Sequence, residues 1–160
     1  MPGCASKRLG PARIGRTRKG QRRLLKGARL RSRRGIDRYC ASGGGAFRIG
    51  YPTARLLRTL ARGAQRRRAK GRVVLALTSS KRFAVKRVRP GAGAKVARKR
   101  MKGARRIRVG RNTWLVGPGK NVRLLVQIRG GKVRTVGIAN KRLTRGRVAQ
   151  RRFLRAWRLG

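Results

Sequence analysis

The chain has 160 residues, of which 50 are Lys or Arg and one, Asp37, is acidic, giving a formal net charge of +49. With no His and no Glu, the sequence excludes Ser–His–Asp and Cys–His catalytic systems and the paired carboxylates of glycosidases. We therefore predict a protein that is not an enzyme and that holds no metal ion or other cofactor. Apolar residues make up 39% of the chain and occur in runs such as Val122–Ile128, which favours a folded core over a disordered basic tail.

The first half of the chain is predicted to contain a short helix, a glycine turn and an insertion. Residues 1–12 are interpreted as a flexible basic N-terminus, and Arg16–Leu25 fits a helix of about ten residues that needs tertiary support. Gly43-Gly44-Gly45 is interpreted as a hairpin turn, because the Gly-Lys-Ser/Thr that ends a phosphate-binding loop does not follow it. In the insertion, Ala54–Leu60 fits a helix with Thr53 as its N-cap, and a strand is the alternative there.

The second half is predicted to contain a helix followed by strands. Ala92–Met101 fits a second short helix, and Arg106–Val116 is interpreted as one strand whose apolar positions include Trp114. Val122–Arg129 and Val133–Ala139 have the alternation of strands and flank Gly130-Gly131, which is typical of a tight hairpin turn.

The C-terminal segment is predicted to be a basic amphipathic helix. Thr144 is predicted to be its N-cap, and Val148, Phe153, Leu154 and Trp157 lie along one face. We expect this face to pack on the sheet and the arginines to be solvated. The alternative is that the helix docks on nucleic acid or on an anionic membrane.

Two stretches of the chain resemble one another in the order of their motifs. Arg13-Ile14-Gly15 and Arg89-Pro90-Gly91 each precede a basic helix, and an aromatic residue follows at a similar distance, Tyr39 in one stretch and Trp114 in the other. Each stretch later reaches a glycine–basic–valine strand, Gly71–Thr78 in the first and Gly131–Ile138 in the second.

This unit of helix, aromatic-bearing strand and hairpin resembles a known small module. It is similar to the repeat of the β-lactamase inhibitor proteins and to the small lipoprotein of the outer-membrane β-barrel assembly machinery, and also to a domain of Arg-rich secreted actinobacterial proteins. The resemblance rests on Arg89-Pro90-Gly91, Arg111-Asn112-Thr113-Trp114 and Gly131-Lys132-Val133-Arg134-Thr135-Val136. The acidic residues usual in such modules are missing here, and no lipid-anchoring signal is present.

The resemblance implies an extracytoplasmic, non-catalytic binding module with an α+β fold. Two helix-plus-antiparallel-hairpin repeats would form one sheet with helices on one face, followed by the C-terminal amphipathic helix. We assign residues 13–88 to the first repeat, with the insertion near 53–70, residues 89–140 to the second repeat, and residues 141–160 to the basic helix.

The charge predicts binding to polyanions such as DNA, RNA, anionic lipid or wall polymers. Lys and Arg that neutralise phosphates release counterions, so binding is tight, salt-sensitive and independent of sequence. Nucleic acid is the favoured partner, and a secreted or cell-envelope interaction module is the alternative. Tyr39, Tyr51 and Trp114 are candidates for stacking on bases, but their positions on strands favour burial. The predicted nucleic-acid contacts form two clusters, Arg66, Arg67, Arg68 and Lys70, and Arg98, Lys99, Arg100 and Lys102.

The sequence also suggests partners for the two cysteines and for the single acidic residue. Cys4 and Cys40 form an even pair, compatible with a disulfide or with two free thiols. Asp37 is expected to pair with a neighbouring arginine, Arg33, Arg34 or Arg38.

No window approaches the roughly 20 apolar residues of a transmembrane helix. Met1–Gly10 lacks an apolar signal region, so localisation is secreted or envelope if a signal precedes Met1, and otherwise cytoplasmic.

Overall fold

The computed structural model describes residues 8–25, 29–33, 35–40 and 44–157. They form an α+β fold around one eight-stranded antiparallel sheet, with five α-helices in these ranges. The helices are α1 (Arg18–Leu24), α2 (Ala54–Leu60), α3 (Gly63–Ala69), α4 (Ala94–Arg100) and α5 (Gly146–Ala156). A small hairpin is formed by β1 (Arg8–Leu9) and β2 (Ala12–Arg13). The large sheet contains β3 (Arg29–Arg33), β4 (Ile36–Cys40), β5 (Ala46–Gly50), β6 (Leu75–Thr78), β7 (Arg105–Val109), β8 (Asn112–Pro118), β9 (Val122–Arg129) and β10 (Lys132–Asn140).

The large sheet has the strand order β3-β4-β5-β6-β10-β9-β8-β7. Four strands from the first half of the chain therefore meet four from the second half at the antiparallel pair of β6 and β10. Helices α2 and α3 connect β5 to β6, whereas β9 and β10 are joined by Gly130-Gly131, both with the positive φ of a tight hairpin turn.

The two halves begin with the same backbone contacts. In the first, the Gly15 N–H donates to the Val73 carbonyl at 2.8 Å, and the Val73 N–H donates to the Arg16 carbonyl at 2.8 Å. In the second, the Gly91 N–H donates to the Val133 carbonyl at 2.8 Å, and the Val133 N–H donates to the Ala92 carbonyl at 2.8 Å. The segment before each short helix is thus tied to a glycine–basic–valine segment.

Both faces of the sheet are covered, because its central strands are apolar on both sides. Along β9, Leu124 and Val126 belong to one core, and Leu125, which points the other way, belongs to the second. The first core contains Ala97 of α4 and the β1–β2 hairpin, and the second contains residues of α2, α3 and α5. Helices were expected on one face, whereas among the described helices α4 packs into the first core and α2, α3 and α5 pack into the second.

Several predicted elements have the expected bounds. Val122–Arg129 is a strand and Ala54–Leu60 is a helix, and the hydroxyl of Thr53 accepts a hydrogen bond from the Leu56 N–H at 3.2 Å as an N-cap. The segment predicted as one strand, Arg106–Val116, is instead the β7–β8 hairpin, because Gly110 has a φ of +58° and turns the chain. Residues 8–12, expected in a flexible terminus, contribute to the small hairpin and bury Leu9 and Ala12 in the first core.

Helix α5 packs on the sheet, as the favoured interpretation of the tail predicted. Phe153, Leu154 and Trp157 are buried in the second core, whereas Val148 is 64% exposed. Thr144 is not its cap; it ends a 3₁₀ turn, Arg142–Thr144, and its hydroxyl donates to the Asn140 carbonyl at 2.7 Å. Among the described residues, no helix is long and apolar enough to cross a membrane.

Candidate anion-binding cleft

A cleft of about 850 Å³ lies at the end of the sheet where β10 ends and β9 begins. Its walls come from α3, from the turn before β9 and from the segment that follows β10. Seven of the lining residues are cationic and none is acidic. The cations are Arg67, Arg68, Arg72, Lys120, Lys141, Arg142 and Arg145.

One wall is built by the turn that follows β10. The side-chain oxygen of Asn140 accepts hydrogen bonds from the backbone N–H groups of Arg142 and Leu143, at 2.9 and 3.2 Å. Leu143 is buried and anchors this turn, so the neighbouring Lys141 and Arg142 remain exposed. The Lys141 ammonium donates to the Lys120 carbonyl at 3.1 Å, which joins this wall to the turn before β9.

The opposite wall is formed by α3 and by the segment that leads into β6. Ala69 is the buried residue of α3, and Arg67 and Arg68 beside it are exposed. The guanidinium of Arg72 donates to the Gly15 carbonyl at 3.0 Å, which holds this cation against the turn between β2 and α1. Packing of α3 and the Arg72 hydrogen bond therefore position cations from distant parts of the chain around one space.

The electrostatics of the cleft favour an anion. Like charges that face a common concave space repel one another, and its walls of low dielectric strengthen their field. The single acidic residue of the chain, Asp37, does not line it. The volume lies within the range of small-molecule sites, about 300–1,000 Å³, and it can hold a few linked phosphate groups.

The structure places the predicted nucleic-acid contacts on two different surfaces. Arg67 and Arg68 line the cleft, whereas Arg66 donates to the Ala61 carbonyl at 3.4 Å and Lys70 is the exposed C-cap of α3. The second predicted cluster belongs to α4 and the residues after it, on the other face of the sheet from α3. It consists of Arg98, Lys99, Arg100 and Lys102, all exposed.

The sequence did not indicate the other five cations of the cleft. Arg72, Lys120, Lys141, Arg142 and Arg145 are isolated or paired in the sequence and meet only through the sheet topology. The available signal was their position in the sequence, since each lies a few residues before β6 or β9 or a few residues after β10.

The aromatic residues proposed for base stacking are buried. Trp114 and Tyr39 are 0% exposed and Tyr51 is 3% exposed, so none of them offers a face to a nucleotide base. No aromatic residue lines the cleft. The cleft lining therefore offers positive charge and the hydrogen-bonding groups of Lys, Arg and amide side chains.

Asp37 lies in a buried cluster away from the cleft. Its carboxylate accepts from Arg18 at 2.7 Å and from Arg22 at 2.6 Å, and the Tyr39 hydroxyl donates to it at 3.3 Å. Burial alone would raise the pKa of Asp37, but the hydrogen bonds from Arg22, Arg18 and Ser32 outweigh it and hold that pKa well below its usual range.

The predicted partners of Asp37 are therefore corrected. Strand alternation turns Asp37 toward α1, where Arg18 and Arg22 lie, while Arg38 follows it on the opposite face of β4. Arg33 pairs across strands with Ile36 and also lies on that opposite face, and Arg34 lies outside the described residues.

The possible disulfide between Cys4 and Cys40 is left untested. Cys40 is exposed at the end of β4 and has no disulfide partner among the described residues. Cys4 lies outside them. The described part of the chain also contains no group of three or more His, Cys, Asp or Glu that could hold a metal ion.

Comparison with solved structures finds a similar fold in a DUF4309 family protein, YjgB, from Bacillus subtilis subsp. subtilis str. 168. The two share 13% identity over 78% of each chain, with a TM-score of 0.54, a likeness that supports the α+β fold alone. An extracellular protein with an SCP domain from Bacillus anthracis str. Ames also matches, at 10% identity and a TM-score of 0.41, over 82% of this chain and 45% of that one. No family model and no curated protein matches the chain.

Proposed function

We propose that this protein binds polyanions, nucleic acid above all, without sequence preference and without catalysing a reaction. The observation that carries this proposal is the cleft, where seven Lys and Arg side chains meet and no carboxylate is present. The absence of catalysis is supported by the state of Asp37, which is fully buried and hydrogen-bonded to two arginines and so is not free to accept a substrate proton.

Independence of sequence follows from the kind of contact on offer. Phosphate contacts fix affinity and carry no sequence information, whereas specificity needs groups aimed at base edges or faces. The lining is dominated by cations and lacks aromatic side chains. We therefore expect a DNA duplex and a second duplex of the same composition but scrambled sequence to bind with equal affinity. Both affinities should depend steeply on salt.

A titration with matched variants tests the role of the cleft. The cleft variant R67Q/R68Q/R142Q removes three lining cations, none of which makes a side-chain hydrogen bond within the described residues. The control variant R98Q/K99Q/K102Q removes three exposed cations of the second cluster, so both variants have the same net charge. Binding of labelled duplex DNA is measured by fluorescence anisotropy across a salt series.

The cleft variant should lose more affinity than the control, and the slope of log K against log salt should fall by about 0.9 for each lost contact. Equal losses in both variants would show that the overall charge binds DNA and that the cleft has no special role. Absence of binding by the unmodified protein at about 50 mM salt would contradict polyanion binding altogether.

We also propose that the two halves of the chain are repeats of one unit. This is supported by the mirrored strand order and by the matching backbone hydrogen bonds of Gly15 with Val73 and of Gly91 with Val133. The repeat favours a second candidate function, a secreted or cell-envelope interaction module. Fractionation of cells that express the full gene separates the candidates, because recovery outside the cytoplasm would favour the module and recovery with nucleic acid the first proposal.

A further inference from the structure

Three arginines form a row across the strands at one side of the sheet. Arg31 of β3 lies directly opposite Arg38 of β4, and Arg38 lies directly opposite Arg48 of β5. Neighbouring strands are about 4.8 Å apart, so the side chains of such a row stand next to one another on the same face. Leu77 of β6 lies opposite Arg48 and ends the row.

The only carboxylate side chain of the sequence does not neutralise this row. Asp37 precedes Arg38 on β4 and therefore points to the other face, where it accepts hydrogen bonds from Arg18 and Arg22. None of the three arginine side chains of the row has a hydrogen bond or an ion pair with another described residue. None of them lines the cleft either.

Arg48 is the most buried member of the row. It is half-buried, and burial together with the charge of Arg38 lowers its pKa. Like charges directly opposite on adjacent strands destabilise a sheet, and a desolvated guanidinium without an acceptor adds to the cost. The free protein therefore holds an unfavourable arrangement that a bound anion would relieve.

We propose that Arg31, Arg38 and Arg48 form a second anion site, which binds a tetrahedral oxyanion group such as a phosphate or a sulfate. Guanidinium groups present paired N–H donors that match the oxygens of these groups, and such charge-assisted bonds are among the stronger ones in proteins. An oxyanion between Arg38 and Arg48 would supply both the missing acceptor and the missing negative charge. The proposal concerns a different surface from the cleft and does not depend on nucleic-acid binding.

The test uses the full chain with the cleft substitutions R67Q/R68Q/R142Q as its background, so that the cleft does not contribute. Arg48→Gln and Arg38→Gln are added singly to this background. The control is Arg108→Gln, because Arg108 is an exposed arginine of the opposite edge strand whose cross-strand neighbour is the neutral Thr113. Thermal unfolding is followed by circular dichroism in chloride, phosphate and sulfate at constant ionic strength.

In chloride, Arg48→Gln should raise the melting temperature by about 2–4 °C, since it removes both repulsion and desolvation, while Arg108→Gln should leave it unchanged. Phosphate should stabilise the background and the control equally and the Arg48 and Arg38 variants less. Calorimetric titration with inorganic phosphate should show affinity reduced by about tenfold in Arg48→Gln.

A fall in melting temperature for Arg48→Gln in chloride would overturn the proposal, because it would assign Arg48 a structural partner. An equal gain from phosphate in the Arg48 and Arg108 variants would also overturn it. Stabilisation by phosphate and by sulfate alike would identify the tetrahedral dianion as the ligand group, and stabilisation by phosphate alone would narrow the site to phosphate. DNA binding in the cleft can fail or succeed without affecting any of these outcomes.

Discussion

Replacement of Asp37 by Asn removes the only carboxylate side chain of the protein and should destabilise the fold. Asp37 is fully buried and accepts hydrogen bonds from both Arg18 and Arg22, which attach α1 to β4. An asparagine keeps one acceptor oxygen but loses the charge and the second oxygen, so it cannot satisfy two guanidinium groups. Helix α1 would then bring two unpaired cations to the sheet.

The size of this effect follows from the exposure of the partners. Breaking a buried ion pair by removing one member costs about 3–5 kcal/mol, whereas an exposed pair contributes about 0–1 kcal/mol. The carboxylate is 0% exposed, but the side chains of Arg18 and Arg22 are 38% and 35% exposed and can be rehydrated in part. We therefore expect a loss of about 2–3 kcal/mol in the free energy of unfolding.

Urea denaturation at a series of pH values measures this contribution directly. The pKa of Asp37 is lower in the folded protein than in the unfolded chain, so its stabilisation is complete above the unfolded value of about 4 and declines as the pH falls toward the folded value. The slope cannot exceed about 1.4 kcal/mol per pH unit for one group. Because the chain has no Glu and no His, no other side chain titrates between pH 2 and pH 7.

The Asp37→Asn variant should therefore have a lower free energy of unfolding at pH 7. That free energy should no longer decline as the pH falls below 4. A variant as stable as the unmodified protein, or one with the same decline in acid, would refute the assignment of Asp37 as the attachment of α1. The triple variant R18Q/R22Q/D37N is the control: if the cluster acts as a unit, it should be more stable than the sum of its single substitutions implies.

Two further substitutions test the core and a strained turn. Trp114→Ala should cost about 3–5 kcal/mol in urea denaturation, since Trp114 is 0% exposed in the second core, and a near-neutral result would place it at the surface. The double variant K86N/R87G should gain about 1 kcal/mol or more, because Lys86 and Arg87 have φ values of +47° and +63° in the two-residue turn between Val85 and Val88, where Asn-Gly is favoured. Lower stability of this variant by the same measurement would mean that the two side chains make contacts that outweigh the backbone strain.

The parts of the fold predicted best from the sequence are those with strong local signals. Val122–Arg129 combines apolar alternation with a glycine turn, and Ala54–Leu60 follows a capping threonine, so both have the predicted bounds. Gly110 was not recognised as a turn because apolar residues continue on both sides of it. The sequence also did not predict that helices cover both faces of the sheet. The face on which α2, α3 and α5 pack depends on the tertiary contacts of their apolar residues, which local sequence does not show.

The candidate sites were harder to predict because they depend on contacts between distant segments. Arg67 and Arg68 were found by their density in the sequence, but their companions Lys120, Lys141 and Arg142 are brought to them by the meeting of β6, β9 and β10. In a chain with 50 Lys and Arg, a basic run alone distinguishes few surfaces. The partners of Asp37 were missed because side chains adjacent in a strand point to opposite faces.

The two outermost strands of the sheet give the molecule a further property. Strand β3 has exposed Arg31 and Arg33, and β7 has exposed Arg105, Arg106 and Arg108. An open edge carries unpaired backbone groups that invite another copy to add as a strand, and charged side chains on the edge oppose this. The like charge on both edges therefore opposes pairing between copies of this sheet, so these arginines protect the protein from self-association into extended sheets.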